Sequence, residues 1–407
     1  MDSNGMGTET LYSDLGSMKS RQVRYINCVK ESLHNGDNPI IIYGAGHIGR
    51  QLFDLLKRHD IQVKCFCVTD TVLNMHNIAG CQVLSVKDAA TIKDALFLLA
   101  ALPPANQEMI TVLRQLGVDT YLDVPKDIRY IVDEITWHPI LEITSRIGCS
   151  VNCRYCPQNV LLKRYRQDDS FRVLSKEVFQ TCIDKTPSNL IVDFAGFAEP
   201  FLNPDIVPMM KYVAQSGREM RLFTTLVGLT EEKLEEVLKL HFQYVVLHLP
   251  DCNHFANIPL TQSYFRLLER ILEAKKPDGN PFVDKANGQA SPDPAVMPYL
   301  QNLTVYQNLI DWAGNISANE VRSSEEKTGQ IMCDYAVRQN HNVLLPDGTV
   351  VLCCMDWGMR HVLGNLYTQS YADIIAGSEK HFICNAMKNV ENGQDILCRK
   401  CTNAIEL

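Results

Sequence analysis

The sequence has 407 residues, of which 46% are hydrophobic and 21% charged, and its formal net charge is -8 at pH 7. This length allows two or three hydrophobic cores, so we expect more than one domain. The acidic balance argues against a nucleic-acid partner, because phosphate-binding proteins usually present a basic face. The chain shows neither an apolar run long enough to span a bilayer nor the N-terminal pattern of a signal peptide, which predicts a cytoplasmic protein without a membrane partner.

Residues 1–37 predict a polar tail and a lead-in helix. Residues 38–126 then contain a short apolar strand, a turn with Gly44, Gly46 and Gly49, and a helical run. Strand, G-x-G-x-x-G and helix in this order form a dinucleotide-binding arrangement, because the glycines let the backbone approach a pyrophosphate at the positive end of a helix. Further strand and helix patterns follow, so we predict a small, doubly wound α/β domain.

Two segments of this domain carry a family resemblance. Tyr43–Arg50 and Ile78–Val83 resemble the "yGaGxiGr" and "i.G..V" patterns of small Rossmann-like domains attached to bacterial sugar-modifying and acyltransferase enzymes. The resemblance implies a nucleotide or nucleotide-sugar ligand more often than NAD. Asp70 lies past the second predicted strand, somewhat farther from the glycines than a ribose-binding acid usually does. The alternative is that the glycines only form a tight turn, and the pocket is vestigial or a partner surface.

Residues 139–320 predict alternating strands and helices, a pattern that implies a parallel sheet. The strands are expected at residues 139–145, 190–196, 220–224 and 244–249. Turn-forming residues are frequent between 275 and 300. We therefore expect a loop over the end of the sheet there, or a linker between strands.

Three cysteines with the spacing C-x3-C-x2-C follow the first of these strands: Cys149, Cys153 and Cys156. A structural metal site usually has four protein ligands, whereas three thiolates leave one iron of a [4Fe-4S] cube open to a small molecule. A zinc knuckle that lacks its fourth ligand, or three unrelated thiols, is the alternative. The motif, with Tyr155 before its last thiol, resembles the signature of the radical S-adenosylmethionine (radical SAM) enzymes.

In that family the open iron chelates SAM, and one electron from the cluster cleaves SAM to a 5'-deoxyadenosyl radical. The resemblance implies a partial (β/α)6 TIM barrel for residues 139–320 and places Tyr155 at the SAM site. A second segment agrees with it: Gly196-Phe-Ala-Glu199-Pro200 is similar to the "GxGEP" segment of the family, although Ala198 replaces the commoner glycine. By this resemblance Gly196, Glu199 and Pro200 bind the methionine part of SAM. A surface-loop glutamate is the alternative for Glu199.

The C-terminal part contains a second cysteine pattern, C-x14-G-x4-C followed by C-x2-C. Its four thiols are Cys333, Cys353, Cys398 and Cys401. Four thiolates close every iron of a cube, and residues 325–407 resemble the SPASM/twitch type of auxiliary cluster domain with one cluster. A zinc ribbon fits the same spacing. Leu345–Cys354 predicts a β-hairpin that brings Cys353 back towards Cys333.

The resemblance implies reductive cleavage of SAM and hydrogen abstraction from a substrate, with the auxiliary cluster as electron conduit. It also implies an electron donor such as a flavodoxin or ferredoxin. The Rossmann-like domain favours a small-molecule substrate, a carbohydrate or nucleotide-linked sugar, over a peptide or protein. A non-catalytic zinc-binding module is the remote alternative. The sequence identifies no catalytic base or radical partner.

Overall fold

In the computed structural model the chain divides into two compact units, residues 1–136 and 137–407. The structure describes residues 25–33, 38–69, 77–78, 80–101, 105–123, 138–165, 171–277, 279–300, 303, 305–307, 310–316, 325–333, 340–388 and 395–406. Among these residues, no helix combines the length and the apolar character that crossing a membrane requires.

The first unit is built on one six-stranded sheet with the order β3-β4-β2-β1-β5-β6. Its strands are β1 (Ile40–Tyr43), β2 (Val63–Val68), β3 (Asn77–Ile78), β4 (Cys81–Ser85), β5 (Leu96–Leu99) and β6 (Tyr121–Leu122), and its helices are α1 (residues 25–31), α2 (His47–Arg58), α3 (Val86–Ala89) and α4 (Ala105–Gln115). All pairs are parallel except β3 with β4. The predicted doubly wound sheet is confirmed, and Asp70 lies outside the described residues.

Both faces of this sheet are buried, which explains the continuous apolar runs of its central strands. Ile40 and Ile42 pack into the core that contains α1 and α2, whereas Ile41 and Tyr43 pack into the core with α3 and α4. The chain adds β2 and β4 on one side of β1 and β5 and β6 on the other. The strand order therefore reverses between β1 and β5, the position where ligands bind in open α/β sheets.

The second unit is built on a nine-stranded sheet with the order β12-β11-β10-β9-β8-β7-β14-β15-β16. The strands of this sheet are β7 (Ile140–Ile143), β8 (Ile191–Phe194), β9 (Met220–Thr224), β10 (Tyr244–His248), β11 (Lys285–Gly288), β12 (Val305–Gln307), β14 (His341–Leu344), β15 (Thr349–Val351) and β16 (Val362–Asn365). The unit also contains β13 (Ile331–Met332) and β17 (Ile405–Glu406), which form a separate antiparallel pair. Its helices are α5 (Gln158–Arg164), α6 (Lys176–Asp184), α7 (Ile206–Gln215), α8 (Glu231–Val237), α9 (Gln262–Glu273), α10 (Tyr371–Ile375) and α11 (Ser378–Lys388).

Strands β7 to β12 follow one another in chain order and are all parallel. Helices α6 to α9 pack on one face of them, where Leu141 and Val192 meet apolar residues such as Phe179 and Met209. Side-chain hydroxyls start three of these helices, α6, α8 and α9: Ser175 and Thr230, for example, each accept a hydrogen bond from a backbone N–H three residues later. The predicted partial barrel of six strands is confirmed.

The prediction for residues 275–300 was wrong in part. This segment contains β11, which pairs with β10 on one side and with β12 on the other. Its sequence, Lys-Ala-Asn-Gly, is short and has little intrinsic preference for a strand. Pairing with the neighbouring strands imposes the extended conformation, so the local sequence pattern did not predict strand β11.

The C-terminal part contributes strands to the same sheet. Strands β14 and β15 form the predicted hairpin, and the Gly348 amide donates to Leu345 at its turn. Gly348 has φ +85, and a Cβ there would lie 2.7 Å from the Cβ of Tyr367, so the turn requires glycine. Strand β14 also pairs in parallel with β7, a contact that the sequence did not predict.

We expect Gly49→Ala to destabilise the first unit by about 2 kcal/mol or more. A Cβ at Gly49 would lie 1.9 Å from the carbonyl oxygen of Gly44. Gly46 is the matched control, because a Cβ there meets no atom of the described residues within 4 Å. The measurement is hydrogen exchange of the β1 and α2 amides in the full chain. Equal protection in Gly49→Ala and Gly46→Ala would contradict the close approach.

Candidate active site

The three thiols of the first cysteine motif converge on a loop that leaves the C-terminal end of β7. A hydrogen bond between the thiols lowers the pKa of Cys153 and raises that of Cys156, and Cys149 interacts electrostatically with both. The loop is held by backbone bonds, such as Cys156 N to Cys153 O at 3.1 Å and Arg154 N to Phe255 O at 2.8 Å. Three converging, largely buried thiols fit the donor set that holds three irons of a cube.

Tyr155 is buried within this loop. Its hydroxyl is hydrogen-bonded to the sulfur of Cys153, and its carbonyl oxygen accepts a hydrogen bond of 2.7 Å from Nε1 of Trp312. Its predicted contact with SAM stays a prediction. The structure does place the residue beside the thiols.

Glu199 joins the ends of two barrel strands. One carboxylate oxygen accepts from Phe201 N at 3.2 Å and from Thr224 Oγ1 at 2.7 Å. The other accepts from N and Oγ1 of Thr225, both at 2.6 Å. Burial raises the pKa of Glu199, and these donors oppose the rise. The carboxylate is not a surface-loop group, because it lies buried and interacts electrostatically with Cys149 and Cys153.

The backbone around Glu199 explains why Gly196 and Pro200, two other predicted SAM-binding residues, stand at their positions in the loop. Gly196 has φ +63, and a Cβ there would lie 2.6 Å from the backbone nitrogen of Thr144, so the β8 loop approaches the end of β7 as only glycine allows. Pro200 begins a short 3-10 turn that Glu199 caps. Gly196 and Pro200 therefore shape the loop that carries the carboxylate.

A layer of charged side chains crosses the barrel strands β7, β8 and β9. Glu142, Asp193 and Arg221 are direct neighbours across β7, β8 and β9. Arg221 donates to both oxygens of Asp193, at 2.6 and 2.9 Å, and His341 Nε2 lies 2.7 Å from Glu142 Oε1. Burial raises the pKa of Asp193, and Arg221 opposes this shift. We call these four residues the polar layer.

The polar layer was missed in the sequence, although a signal exists. Each of its barrel members is a single charged residue inside an otherwise apolar strand, as in Ile-Leu-Glu-Ile of β7. Ligating atoms of Glu142, Asp193 and His341 lie within 4.8 Å of one another, a spacing compatible with a metal ion. Because Arg221 already occupies both oxygens of Asp193, the geometry favours ion pairs over a cation site.

His248 ends β10, at the same edge of the sheet as the cysteine loop. Burial and the neighbouring Lys285 lower the pKa of His248 to about 4, so its imidazole is neutral at pH 7. Asp251, which follows it, accepts hydrogen bonds from the amides of Asn253, Phe255 and Ala256. Asp251 thus caps a loop.

The four thiols of the second cysteine pattern also converge. All are buried, and the sulfur of Cys353 interacts electrostatically with those of Cys333, Cys398 and Cys401. Burial raises the pKa of Cys353 well above its ordinary value, so neutral thiols are favoured until a metal replaces their protons. Four buried sulfurs facing one another fit the ligand set of a closed cube.

Two features connect this second set of thiols with the barrel. Cys354 lies next to the set and is hydrogen-bonded to Glu142 of the polar layer. Residues 311–316 contact both cysteine loops, since Trp312 donates to Tyr155 O and Asn315 Nδ2 donates to Met355 O at 3.0 Å. The Trp312 ring also packs edge-on against Trp357, with centroids 5.7 Å apart.

The predicted glycines of the first unit have two different roles. Gly44 has φ +116 and approaches Ala100 closely, and Gly49 lies against Gly44 O, so both are required by the backbone. In the part of the unit that the structure describes, a Cβ at Gly46 meets no atom within 4 Å, and α2, which follows Gly46, has no side-chain cap. Its predicted contact with a nucleotide or nucleotide-sugar stays a prediction.

Comparisons with known proteins give one matching family model and several similar solved structures. Residues 333–402 match the family model described as SPASM, an iron–sulfur cluster-binding domain. Solved structures similar to this chain include BtrN in complex with AdoMet and 2-DOIA, 18% identical over 66% of this chain and 94% of that chain, with a TM-score of 0.44. Native anSMEcpe with bound AdoMet is 14% identical over 65% and 86%, with a TM-score of 0.40.

Streptococcus suis SuiB bound to precursor peptide SuiA is 13% identical over 69% of this chain and 78% of that chain, with a TM-score of 0.41. No curated protein matches the chain. The SPASM match confirms the predicted C-terminal iron–sulfur domain and favours it over a zinc ribbon. Together with the thiol loop on the parallel barrel, it supports the prediction of a radical SAM enzyme with a C-terminal SPASM domain.

We expect Glu199→Gln to destabilise the second unit by about 1–3 kcal/mol, because an amide NH2 replaces an oxygen that accepts two hydrogen bonds and leaves a buried N–H unsatisfied. The midpoint of urea unfolding measures the change. Glu273→Gln, an exposed position at the end of α9, is the control and should leave the midpoint unchanged. Equal midpoints for both variants would rule out the inferred role of the carboxylate.

We expect His248 to make the second unit less stable as the pH falls from about 6.5 towards 4. Its folded pKa of about 4 lies below the ~6.5 of an unfolded chain, so protonation favours unfolding, by about 2–3 kcal/mol over this window. Urea midpoints of wild type and His248→Gln at several pH values measure the difference. The exposed His241 serves as the control as His241→Gln. A pH profile unaltered by His248→Gln would disprove the burial effect.

Proposed function

We propose that the protein cleaves SAM reductively and oxidises or rearranges a carbohydrate or nucleotide-linked sugar by hydrogen abstraction. The observation that carries the proposal is the convergence of Cys149, Cys153 and Cys156 beside the buried carboxylate of Glu199. A cube held by these three thiols would supply the electron for reductive cleavage of SAM, the source of the radical that would remove a hydrogen atom from a substrate C–H bond.

The residues of the chain have separate tasks in this proposal. The three cysteines hold three irons and leave the fourth for SAM. Glu199 fixes the ends of β8 and β9 relative to the thiols through its four hydrogen bonds. A site held this rigidly supports a defined distance between the radical and the substrate, which radical transfer needs.

The polar layer supports a hydroxyl-rich small molecule as substrate. The barrel face that carries Glu142, Asp193 and Arg221 is the face that the helices leave uncovered, because their neighbours Leu141, Val192 and Leu222 pack in the helix-side core. Arg221 gives two of its five N–H donors to Asp193 and its side chain is 20% exposed, so its other donors can reach the hydroxyls of a substrate. An apolar substrate group would gain little binding free energy from contact with these charged side chains.

The four C-terminal thiols support an oxidative outcome. A substrate radical that loses one proton and one electron becomes a carbonyl compound, and a closed cube is a one-electron acceptor. The hydrogen bond between Cys354 and Glu142 connects the region of these thiols with the polar layer. A dehydrogenase therefore fits these contacts, and an external flavodoxin or ferredoxin is the expected electron partner.

We expect anaerobically reconstituted protein to contain about eight irons per chain, as two cubes require, and to release 5'-deoxyadenosine with SAM and dithionite. Cys156→Ala should abolish this release, because it removes a ligand of the SAM-binding cube. Cys398→Ala should lose about four irons and still cleave SAM. Cys252→Ala, an exposed cysteine, is the control. Bound zinc instead of iron, or no cleavage by the iron-loaded protein, would refute the proposal.

Substrates labelled with deuterium distinguish the classes. Transfer of label to 5'-deoxyadenosine from a nucleotide-sugar or an aminocyclitol would support the carbohydrate proposal. Transfer only from a peptide would reject it in favour of a peptide-modifying enzyme.

A further inference from the structure

The segment that carries the first cysteine motif is basic, although the chain as a whole is acidic. Between residues 146 and 165 four side chains are cationic and none is acidic, whereas the formal net charge of the sequence is -8. The four cations are Arg146, Arg154, Lys163 and Arg164. An acidic protein repels a negatively charged partner everywhere except at such a local positive region, which therefore determines where that partner approaches.

Two of these cations are exposed and form no ion pair. Lys163 and Arg164 are the last two residues of α5, on the side of the helix that faces away from the buried Leu161. Neither of them pairs with a carboxylate in the part of the chain that the structure describes. Their charges are therefore available to an external partner.

The end of α5 lies beside the residues that lead into the thiol loop. Residues 171–174 run antiparallel to residues 145–148, and the register of this pair sets Phe171 opposite Gly148. Leu162 of α5 reaches the same glycine, because its Cδ2 lies 3.8 Å from the position of a Cβ at Gly148. The next residue in the sequence is the first cysteine of the motif.

Large apolar side chains are exposed in these two segments. Leu162, Phe171 and Val173 are 37%, 41% and 39% exposed. Exposed apolar groups beside positive charge are typical of a protein interface, where an apolar centre is surrounded by a polar rim. A small anion such as phosphate would use the cations alone. We call these three residues, together with Lys163 and Arg164, the docking patch.

The thiol loop next to the docking patch is only partly covered by protein. Ser150 and Asn152 are exposed, and Cys149 is partly exposed. The carboxylate of Glu199, in contrast, is buried at the strand ends. A protein bound to the docking patch would therefore lie close to the thiols while the region around Glu199 stays free for SAM and substrate.

We propose that the docking patch binds an acidic one-electron carrier protein of the flavodoxin class, which reduces the cube held by Cys149, Cys153 and Cys156. Carboxylates of the carrier would pair with Lys163 and Arg164. The step moves one electron from the carrier to the cube, and it makes or breaks no bond. The inference rests on the proposed function, because that function requires this electron.

The first test measures the affinity of an acidic flavodoxin for the iron-loaded full chain by surface plasmon resonance. We expect the double variant Lys163→Glu/Arg164→Glu to weaken binding about tenfold or more at low salt, because two repulsive charges replace two attractive ones. The difference should shrink at about 0.5 M salt, where exposed charges are screened. Leu162→Ser/Phe171→Ser should weaken binding at both salt concentrations.

Lys275→Glu is the matched control. Lys275 is exposed and follows α9 on the way to the N-terminal end of β11, so it lies at the opposite edge of the sheet from the thiol loop. This variant should bind flavodoxin as the wild type does. Equal affinity of flavodoxin for the wild type, both double variants and Lys275→Glu would overturn the proposal. Binding to vesicles of anionic phospholipid but not to flavodoxin would also overturn it.

The second test compares two reductants in the release of 5'-deoxyadenosine from SAM. With reduced flavodoxin, Lys163→Glu/Arg164→Glu should lower kcat/KM for the carrier about tenfold. With saturating dithionite, a small reductant that needs no docking surface, the same variant should react at the wild-type rate. An equal loss of rate with both reductants would contradict the proposal, because the cations would then support the thiol loop itself.

The two tests keep the docking patch and the proposed function apart. If flavodoxin binds as expected but the iron-loaded chain does not cleave SAM with dithionite, the docking patch stands and the proposed function fails. If dithionite supports cleavage but the charge reversal leaves flavodoxin binding unchanged, the docking patch fails and the proposed function stands.

Discussion

The parallel pairing of β7 with β14 is the contact on which the relation between the two thiol sets depends. The first cysteine loop leaves the C-terminal end of β7. Strand β14 runs alongside, and β15 returns antiparallel to it, so Cys353 comes back beside Asn342, whose side chain donates to Leu352 O. The two thiol sets therefore lie at opposite ends of the β7–β14 pair, with the polar layer between them. A slip of β14 by one residue against β7 would turn His341 to the other face of the sheet, away from Glu142.

The polar layer follows from the same pairing. Charged groups inside a sheet are costly unless each finds a partner. Glu142 meets His341 only because β14 lies next to β7, and Asp193 meets Arg221 only because β8 and β9 are in register. Topology thus decides which charges are tolerated, and the tolerated charges define the chemical character of the barrel interior.

Much of the fold could be predicted, because its central strands are buried on both faces and read as apolar runs. The thiol loops were predictable for another reason, since close spacing along the chain already brings the ligands together. Strand β11 and the polar layer could not be derived locally, because pairing partners distant in sequence determine them.

The segment that carries Trp312 and Asn315 has a consequence for how the protein matures. It contacts the loop of Cys153 through Tyr155 O and the loop of Cys353 through Met355 O. Metal binding is coupled to the ordering of its ligand loop, and a segment ordered by one loop no longer loses that entropy when the other loop closes. The insertion of either cluster would thus favour the insertion of the other.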